Sequence, residues 1–326
     1  MHIVIADKYP ANSVQQLRDA GCQVTLAAET NDAALKDTLR KTGCSVLVVR
    51  SRKVTRDVLL STPTLRMVIR AGSGTDTIDV DAANEFGVRV CNCPGTNSVA
   101  VAELTFGLMI ALDRRIVDET DDLRRGIWNK KEYGKAKGLK GSTLGIVGLG
   151  RIGQEVAKRA RAFEMNILYF DPLDRATVAA ELGAKQTTLV ELLGASDFVT
   201  LHVPGGGETR HMIGERELGL MKRNAFLINC SRGGIVDEEA LSHALETGQI
   251  AGAALDVFEI EPGANDTEFL NPVGQVPHLY GTHHVGASTE QAQSAVAEEV
   301  AHIIGEFMNK GEFLHCVNPP EFACMA

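Results

Sequence analysis

The run Gly148-Leu-Gly150-Arg-Ile-Gly153 constrains the fold more than any other feature of the chain. It follows the apolar segment Thr143–Val147 at once and opens a helical pattern over Arg151–Phe163, so it occupies a strand–turn–helix junction. Each glycine has a mechanical role there. Gly148 permits a tight turn, Gly150 lets a ligand approach the backbone, and Gly153 lets the helix lie close on the strand. The N–H groups at the helix start, at Arg151 and Ile152, suit a pyrophosphate. The next apolar segment, Asn166–Phe170, ends in Asp171, eighteen residues after Gly153. A carboxylate there accepts from ribose hydroxyls and repels a 2′-phosphate, and no arginine follows it at once. The expectation is a site for NAD rather than NADP.

The rest of the chain repeats the same alternation. Strands are predicted at His2–Ala6, Gln23–Ala27, Val46–Val49, Met67–Ile69 and Val88–Asn92, and then at Thr143–Val147, Asn166–Phe170, Phe198–His202, Ala225–Asn229 and Ala251–Asp256. Helical patterns such as Asn12–Ala20 and Asp237–Gly248 lie between them. This order predicts an α/β fold of parallel sheets covered by helices on both faces. One helix of about 25 residues, long for a single domain, is predicted from Ser98 as N-cap through Leu104 and Leu112 to Ile116 and beyond. Gly126–Gly141 reads as an exposed arm, and Ala287–Met308 as the last helix.

Composition removes several classes. Lys and Arg total 33 against 42 Asp and Glu, a net charge of −9 with no long basic run, so nucleic acid is not an expected partner. No stretch of 18 apolar residues is present to span a membrane, and the opening MHIVIADKYP, without a basic run before an apolar one, is not expected to be a secretory signal. Seven cysteines without framework spacing read as reduced thiols of a cytoplasmic protein. Cys91-Asn-Cys93 is the one close pair, and with no second Cys or His pair beside it no metal site is expected.

Three later segments complete the pattern: NCSRGGIVDEEAL (Asn229–Leu241), AALDVFEIEP (Ala253–Pro262) and GTHHVGASTEQAQ (Gly281–Gln293). With the glycine motif in front of them, the chain resembles the D-isomer-specific 2-hydroxyacid dehydrogenases over almost its whole length. The resemblance implies two doubly wound, Rossmann-like domains, with an NAD domain (98–292) inserted into a discontinuous substrate domain (1–97 and 293–326). It makes Arg232 the substrate-orienting arginine, Glu261 the acid beside the catalytic histidine, and His284 the general acid/base. It places Asp256 near the nicotinamide amide. Val203, Pro204, Cys230, Gly286 and Ala287 join the NAD-binding set, to which Arg232 and His284 also belong. The residue types suit the reaction. A histidine exchanges the hydroxyl proton near neutral pH, a carboxylate orients its ring, and a guanidinium holds the substrate carboxylate. Two departures stand out. His283 replaces the usual proline before the histidine, and Gly205–Gly207 replace bulkier residues after Pro204 in the adenine-side loop.

Within the family, VRSRKVT (Val49–Thr55), IRAGSGTDTID (Ile69–Asp79) and PGTNSVAVAEL (Pro94–Leu104) resemble the 3-phosphoglycerate dehydrogenases of serine biosynthesis. That likeness implies a phosphorylated 2-hydroxy or 2-oxo acid, with Ser73 and Gly74 offering N–H groups to its carboxylate and Arg50 and Arg70 charge to its phosphate. It also implies a homodimer, and a short form lacking a C-terminal regulatory domain. The alternatives are a hydroxypyruvate or glyoxylate reductase and, in a different class, an NAD-sensing binding module without catalysis.

Overall fold

The computed structural model describes residues 1–28, 30–262, 268–269 and 276–319. Cys324 lies outside them. The chain divides into two compact units, residues 1–97 with 289–326, and residues 98–288.

In the first unit the strands are β1 (His2–Ile5), β2 (Gln23–Leu26), β3 (Val46–Val49), β4 (Met67–Arg70) and β5 (Arg89–Asn92), in the order β2-β1-β3-β4-β5. All pair in parallel. The helices are α1 (Ala11–Asp19), α2 (Asp32–Thr42), α3 (Arg56–Leu59) and α4 (Val80–Glu85). β3 is VLVV and wholly buried, as a strand covered on both faces must be. The two-residue period sorts its side chains. Leu47 and Val49 join Val4, Val68 and Val90 on one face, and Val46 and Val48 join Ile3, Ile5, Met67 and Ile69 on the other.

The second unit begins with α5 (Ser98–Arg114), α6 (Ile116–Arg124) and α7 (Lys130–Tyr133). Its strands are β6 (Thr143–Val147), β7 (Asn166–Phe170), β8 (Ala184–Gln186), β9 (Phe198–Leu201), β10 (Phe226–Asn229), β11 (Gly252–Leu255) and β12 (Leu279–Gly281). They form one parallel sheet in the order β12-β11-β10-β9-β6-β7-β8. Helices α8 (Arg151–Ala162), α9 (Ala176–Leu182), α10 (Leu189–Ala195), α11 (Glu215–Leu220) and α12 (Glu238–Glu246) link them. The chain then returns to the first unit as α13 (Glu290–Lys310), capped by the Thr289 hydroxyl and burying Val300, Ile303 and Ile304 against the first sheet.

All ten predicted strands are present, with ends moved by at most one residue. Two three-residue strands at opposite edges of the second sheet, β8 and β12, were not predicted. The long helix is two helices. Arg115 adopts φ +53° and ends α5, and its guanidinium ties α6 to α7 through Asp118 and Glu132, each 2.9 Å away. Ser98 is the first helical residue, and its hydroxyl is buried without a cap bond.

Gly153 shows how tightly α8 lies on its strand: a Cβ there would sit 2.2 Å from the Gly148 carbonyl oxygen. Backbone cannot yield as a flexible side chain can. Gly153→Val is expected to cost about 3 kcal/mol and lower Tm by about 5–10 °C in a thermal melt. An unchanged midpoint would show that α8 can move away freely.

Candidate active site

The order of the second sheet reverses between β6 and β9, and in open parallel sheets ligands bind at the carboxyl ends of the strands at such a point. The glycine motif sits there. Gly148 has φ +94°, donates its N–H to Phe170 O (2.8 Å), and lies so close to the end of β9 that a Cβ would meet His202 O at 2.6 Å and Val203 Cγ1 at 3.1 Å. Gly150 is the N-cap of α8. No side chain caps this helix, and a Cβ on Gly150 would meet nothing within 4 Å. Open space beside uncapped N–H groups at Arg151 and Ile152 fits a pyrophosphate. The residues present therefore fit NAD.

Asp171 is buried at the end of β7. Its Oδ2 accepts from Leu149 N–H (2.8 Å), inside the glycine motif, and its Oδ1 from Leu173 N–H (2.9 Å). Oδ2 also accepts from Arg175 Nε at 3.3 Å. Sequence reasoning missed this guanidinium because it does not directly follow Asp171. At four residues' distance it returns to the same carboxylate.

Pro204 is exposed, and Gly205 follows it against Arg232, where a Cβ would lie 3.1 Å from Arg232 Cγ. The glycine loop thus bears on the arginine stem. Arg232 itself is framed by Asn229, whose amide donates to Arg232 O (2.9 Å), while Asn229 Oδ1 accepts from Ser231 N–H (3.0 Å) and Oγ (2.7 Å). A Cβ on Gly233 would sit 1.8 Å from Phe258 O, so the Arg232 loop crosses the loop that carries Glu261. Cys230 is buried beside them, and burial pushes its thiol up to about 12, outside the range of a neutral-pH nucleophile.

The Glu261 and His284 side chains meet: Nδ1 to Oε2 is 2.8 Å. Glu261 Oε1 accepts from Phe258 N–H at 3.1 Å. Burial alone would raise the Glu261 pKa. The hydrogen bond and charge of His284, with the Phe258 N–H and the nearby Arg232, outweigh it and hold the carboxyl below its usual value. His284 adopts φ +52°, a left-handed conformation uncommon outside glycine.

Asp256 explains how that turn is held. It is 1% exposed at the end of β11. Its carbonyl accepts from His284 N–H (2.8 Å). Its Oδ1 accepts from Thr282 Oγ (2.6 Å) and Val285 N–H (2.9 Å), and its Oδ2 from Gly286 N–H (2.9 Å). Gly286 is buried so closely that a Cβ would meet Oδ2 at 3.0 Å. Ala287 continues the turn, half-buried, and His283 is exposed. Asp256 and Thr282 therefore position the histidine loop, which sequence spacing did not reveal.

The remaining candidates belong to the first unit. Its sheet reverses order between β1 and β3, where Arg50 N–H donates to Asp7 Oδ2 (2.7 Å). Val49 and Arg70 are in register, so Arg50 and Arg70 leave neighbouring strands at one edge. Gly72 has φ +149°, and a Cβ there would overlap the Arg70 guanidinium at 1.6 Å, so only glycine lets Arg70 fold across the turn. Ser73 follows: its Oγ donates to Asn97 Oδ1 (3.0 Å) and its carbonyl accepts from Asn92 Nδ2 (2.6 Å). Gly74 is half-buried beside it. Asp7, Asn92 and Asn97 were not anticipated, because each reaches its partner only through the fold.

Comparison with known proteins comes to the same place. Residues 106–286 match the model of the NAD binding domain of D-isomer specific 2-hydroxyacid dehydrogenases. A D-3-phosphoglycerate dehydrogenase of Methanocaldococcus jannaschii is 44% identical over 321 residues, 98% of this chain and 59% of that protein. The chain thus spans well under two thirds of that relative's length. A glyoxylate reductase of Thermococcus litoralis is also 44% identical, over 80% of this chain and 78% of its own. Among solved structures, the TT0316 protein of Thermus thermophilus superposes with a TM-score of 0.87 at 31% identity, covering 97% of this chain and all of that one.

The Asp171–Arg175 pair has a measurable consequence. Asp171→Ser removes the carboxylate expected to accept from the ribose and releases Arg175. NADH binding, followed by fluorescence titration, is expected to weaken about 10–100-fold, the worth of a charge-assisted hydrogen bond, while NADPH binding strengthens. An unchanged preference would contradict the ribose role.

Proposed function

The chain belongs to the D-isomer specific 2-hydroxyacid dehydrogenase family, and on that premise we propose that it oxidises D-3-phosphoglycerate to 3-phosphohydroxypyruvate with NAD, the first step of serine biosynthesis. The dehydrogenase chemistry rests on the 2.8 Å pair of His284 and Glu261, with the histidine loop clamped by Asp256, and the phosphorylated substrate on Arg50 and Arg70 leaving neighbouring strands in register. When bound, NAD supplies the hydride acceptor at its nicotinamide ring. Gly148, Gly150, Arg151, Ile152 and Gly153 hold its pyrophosphate, and Asp171 its ribose. Val203, Pro204, Cys230, Asp256, Gly286 and Ala287 frame the rest.

Arg232 holds the substrate carboxylate and polarises the C2 oxygen. With Nδ1 engaged by Glu261, Nε2 of His284 takes the hydroxyl proton, and returns it in the reverse direction. Glu261 favours the imidazolium so formed. Because its pKa is lowered, Glu261 stays ionised through the neutral range and loses this role only as pH falls through its depressed value.

The substrate's phosphate carries nearly two negative charges and needs local cations, which Arg50 and Arg70 supply. The Ser73-Gly74 backbone receives the carboxylate. A second reading, reduction of glyoxylate or hydroxypyruvate, is favoured by the equal identity to the T. litoralis glyoxylate reductase. It keeps Arg232, Glu261 and His284 and needs no phosphate cluster. A non-catalytic NAD-sensing module would need neither. The partner we propose is a second copy of the chain, docking on α6 and the start of the segment that follows it. These expose Ile116, Val117, Leu123, Ile127 and Trp128, the last at 79%. A cytoplasmic location fits six free thiols among the described residues.

NADH formation at alkaline pH with D-3-phosphoglycerate, D-glycerate and D-lactate is the primary assay. The phosphorylated acid is expected to be preferred, and Arg70→Ala to harm its turnover far more than that of glyoxylate. Equal losses on both would move the protein to the reductase branch. In the same assay His284→Ala is expected to lower kcat by about 10²–10⁴ while NADH still binds. Near-normal turnover would transfer the role to His283.

A further inference from the structure

One pair of cysteines outside these sites is built into the edge of the first sheet. The outer side of β5 takes the chain's tail: Val317 N–H donates to Val90 O (2.8 Å) and Asn92 N–H to His315 O (3.3 Å). These bonds flank Cys91 and Cys316, which oppose each other across an antiparallel bridge. They form the narrow, non-hydrogen-bonded kind of pair, in which Cα atoms lie about 4.5 Å apart and side chains are closest. That spacing falls within the range a disulfide spans, about 4.4–6.8 Å. Both are free thiols, Cys91 buried and Cys316 half-exposed. Asn318 pins the tail beside them. Its Oδ1 accepts from Val90 N–H (2.7 Å), its Nδ2 donates to Val88 O (2.9 Å), and its carbonyl accepts from Arg89 Nη1 (2.8 Å).

We propose that Cys91 and Cys316 form a reversible disulfide on exposure to a hydroperoxide, stapling the tail to β5. Cys316, half-exposed where Cys91 is buried, reacts first. A hydrogen bond from the Cys91 thiol, the backbone N–H groups of Asn318 and Val90 and the charge of Arg89 act against burial and hold Cys316 below the ordinary thiol value, which favours its thiolate. Burial pushes Cys44, Cys93 and Cys230 up to about 12.

The Cys316 thiolate attacks one peroxide oxygen. The O–O bond breaks, hydroxide leaves, and the sulfur becomes a sulfenic acid. The Cys91 sulfur, giving up its proton, then attacks Cys316. The S–O bond breaks, water leaves, and the S–S bond forms. Two thiols lose two electrons in all, and the peroxide gains them. A dithiol reverses the step by exchange. The staple lies one residue from Asn92, whose side chain holds the Ser73 carbonyl at 2.6 Å.

The test uses the full chain and hydrogen peroxide, quenched with catalase at intervals. Thiols are alkylated under denaturing conditions and peptides mapped by mass spectrometry. A linked Cys91–Cys316 peptide is expected as the first product, removed by dithiothreitol, with Tm raised by about 5 °C. Cys91→Ser is expected to stop at a dimedone-reactive sulfenic acid on Cys316, and Cys316→Ser to give no link. Oxidation of Cys316 no faster than of Cys44 or Cys230 would overturn the proposal. So would a first link from Cys316 to Cys324 or from Cys91 to Cys93.

Discussion

Taking a carboxylate out of water at the end of a strand costs several kcal/mol unless its oxygens find donors. Asp256 finds them in the loop that carries His284, through Thr282 Oγ and the N–H groups of Val285 and Gly286. The left-handed His284 costs about 1–3 kcal/mol in turn, and hydrogen bonds to a charged group return about 1.5–3 kcal/mol each. The two costs are thus met by one set of bonds. Glu261 follows β11 as well, so both the backbone and the ring of His284 are held from a single strand end. A residue that must present a nitrogen at a fixed place gains that place from the sheet, not from its own flexible loop.

Much of this was legible in the sequence because it rests on local rules. Parallel strands buried on both faces leave continuous apolar runs, and these located β1 to β7 and β9 to β11 to within a residue. β8 and β12, three residues each at the sheet edges, bury too little to leave such a run. The helix after Ser98 kept its apolar period through Ile116, but a period does not report a single residue's φ, and Arg115 turns left-handed where Asp118 and Glu132 can reach its guanidinium. The candidate site divides the same way. Glycine spacing and an acid at a strand end are short-range signals. The Asp256 clamp, Arg175 curling back on Asp171, and Asn92 under Ser73 depend on which loops the topology brings together.

The departures from the family pattern have physical counterparts. A proline before His284 would fix φ at its own position. With His283 there, exposed, the turn relies on the Asp256 bonds. Glycine at 205 leaves the Arg232 stem room that a side chain would take.

The choice between a phosphorylated and an unphosphorylated acid is a question of charge in the first unit, because proton and hydride chemistry is common to both. A chain of net charge −9 must concentrate positive charge locally to hold a phosphate. Arg50 and Arg70 leave neighbouring strands in register, which on the proposed reading supplies it at one edge, and Gly72 is the residue that lets the Arg70 guanidinium fold across its turn. Asp7 works in the opposite sense: its carboxylate accepts from the Arg50 N–H at the same strand ends. The neighbouring Ser73-Gly74 backbone bears on the same choice. If its N–H groups take the substrate carboxylate, both arginines remain for the phosphate, and the propping of Ser73 by Asn92 and Asn97 becomes part of substrate selection.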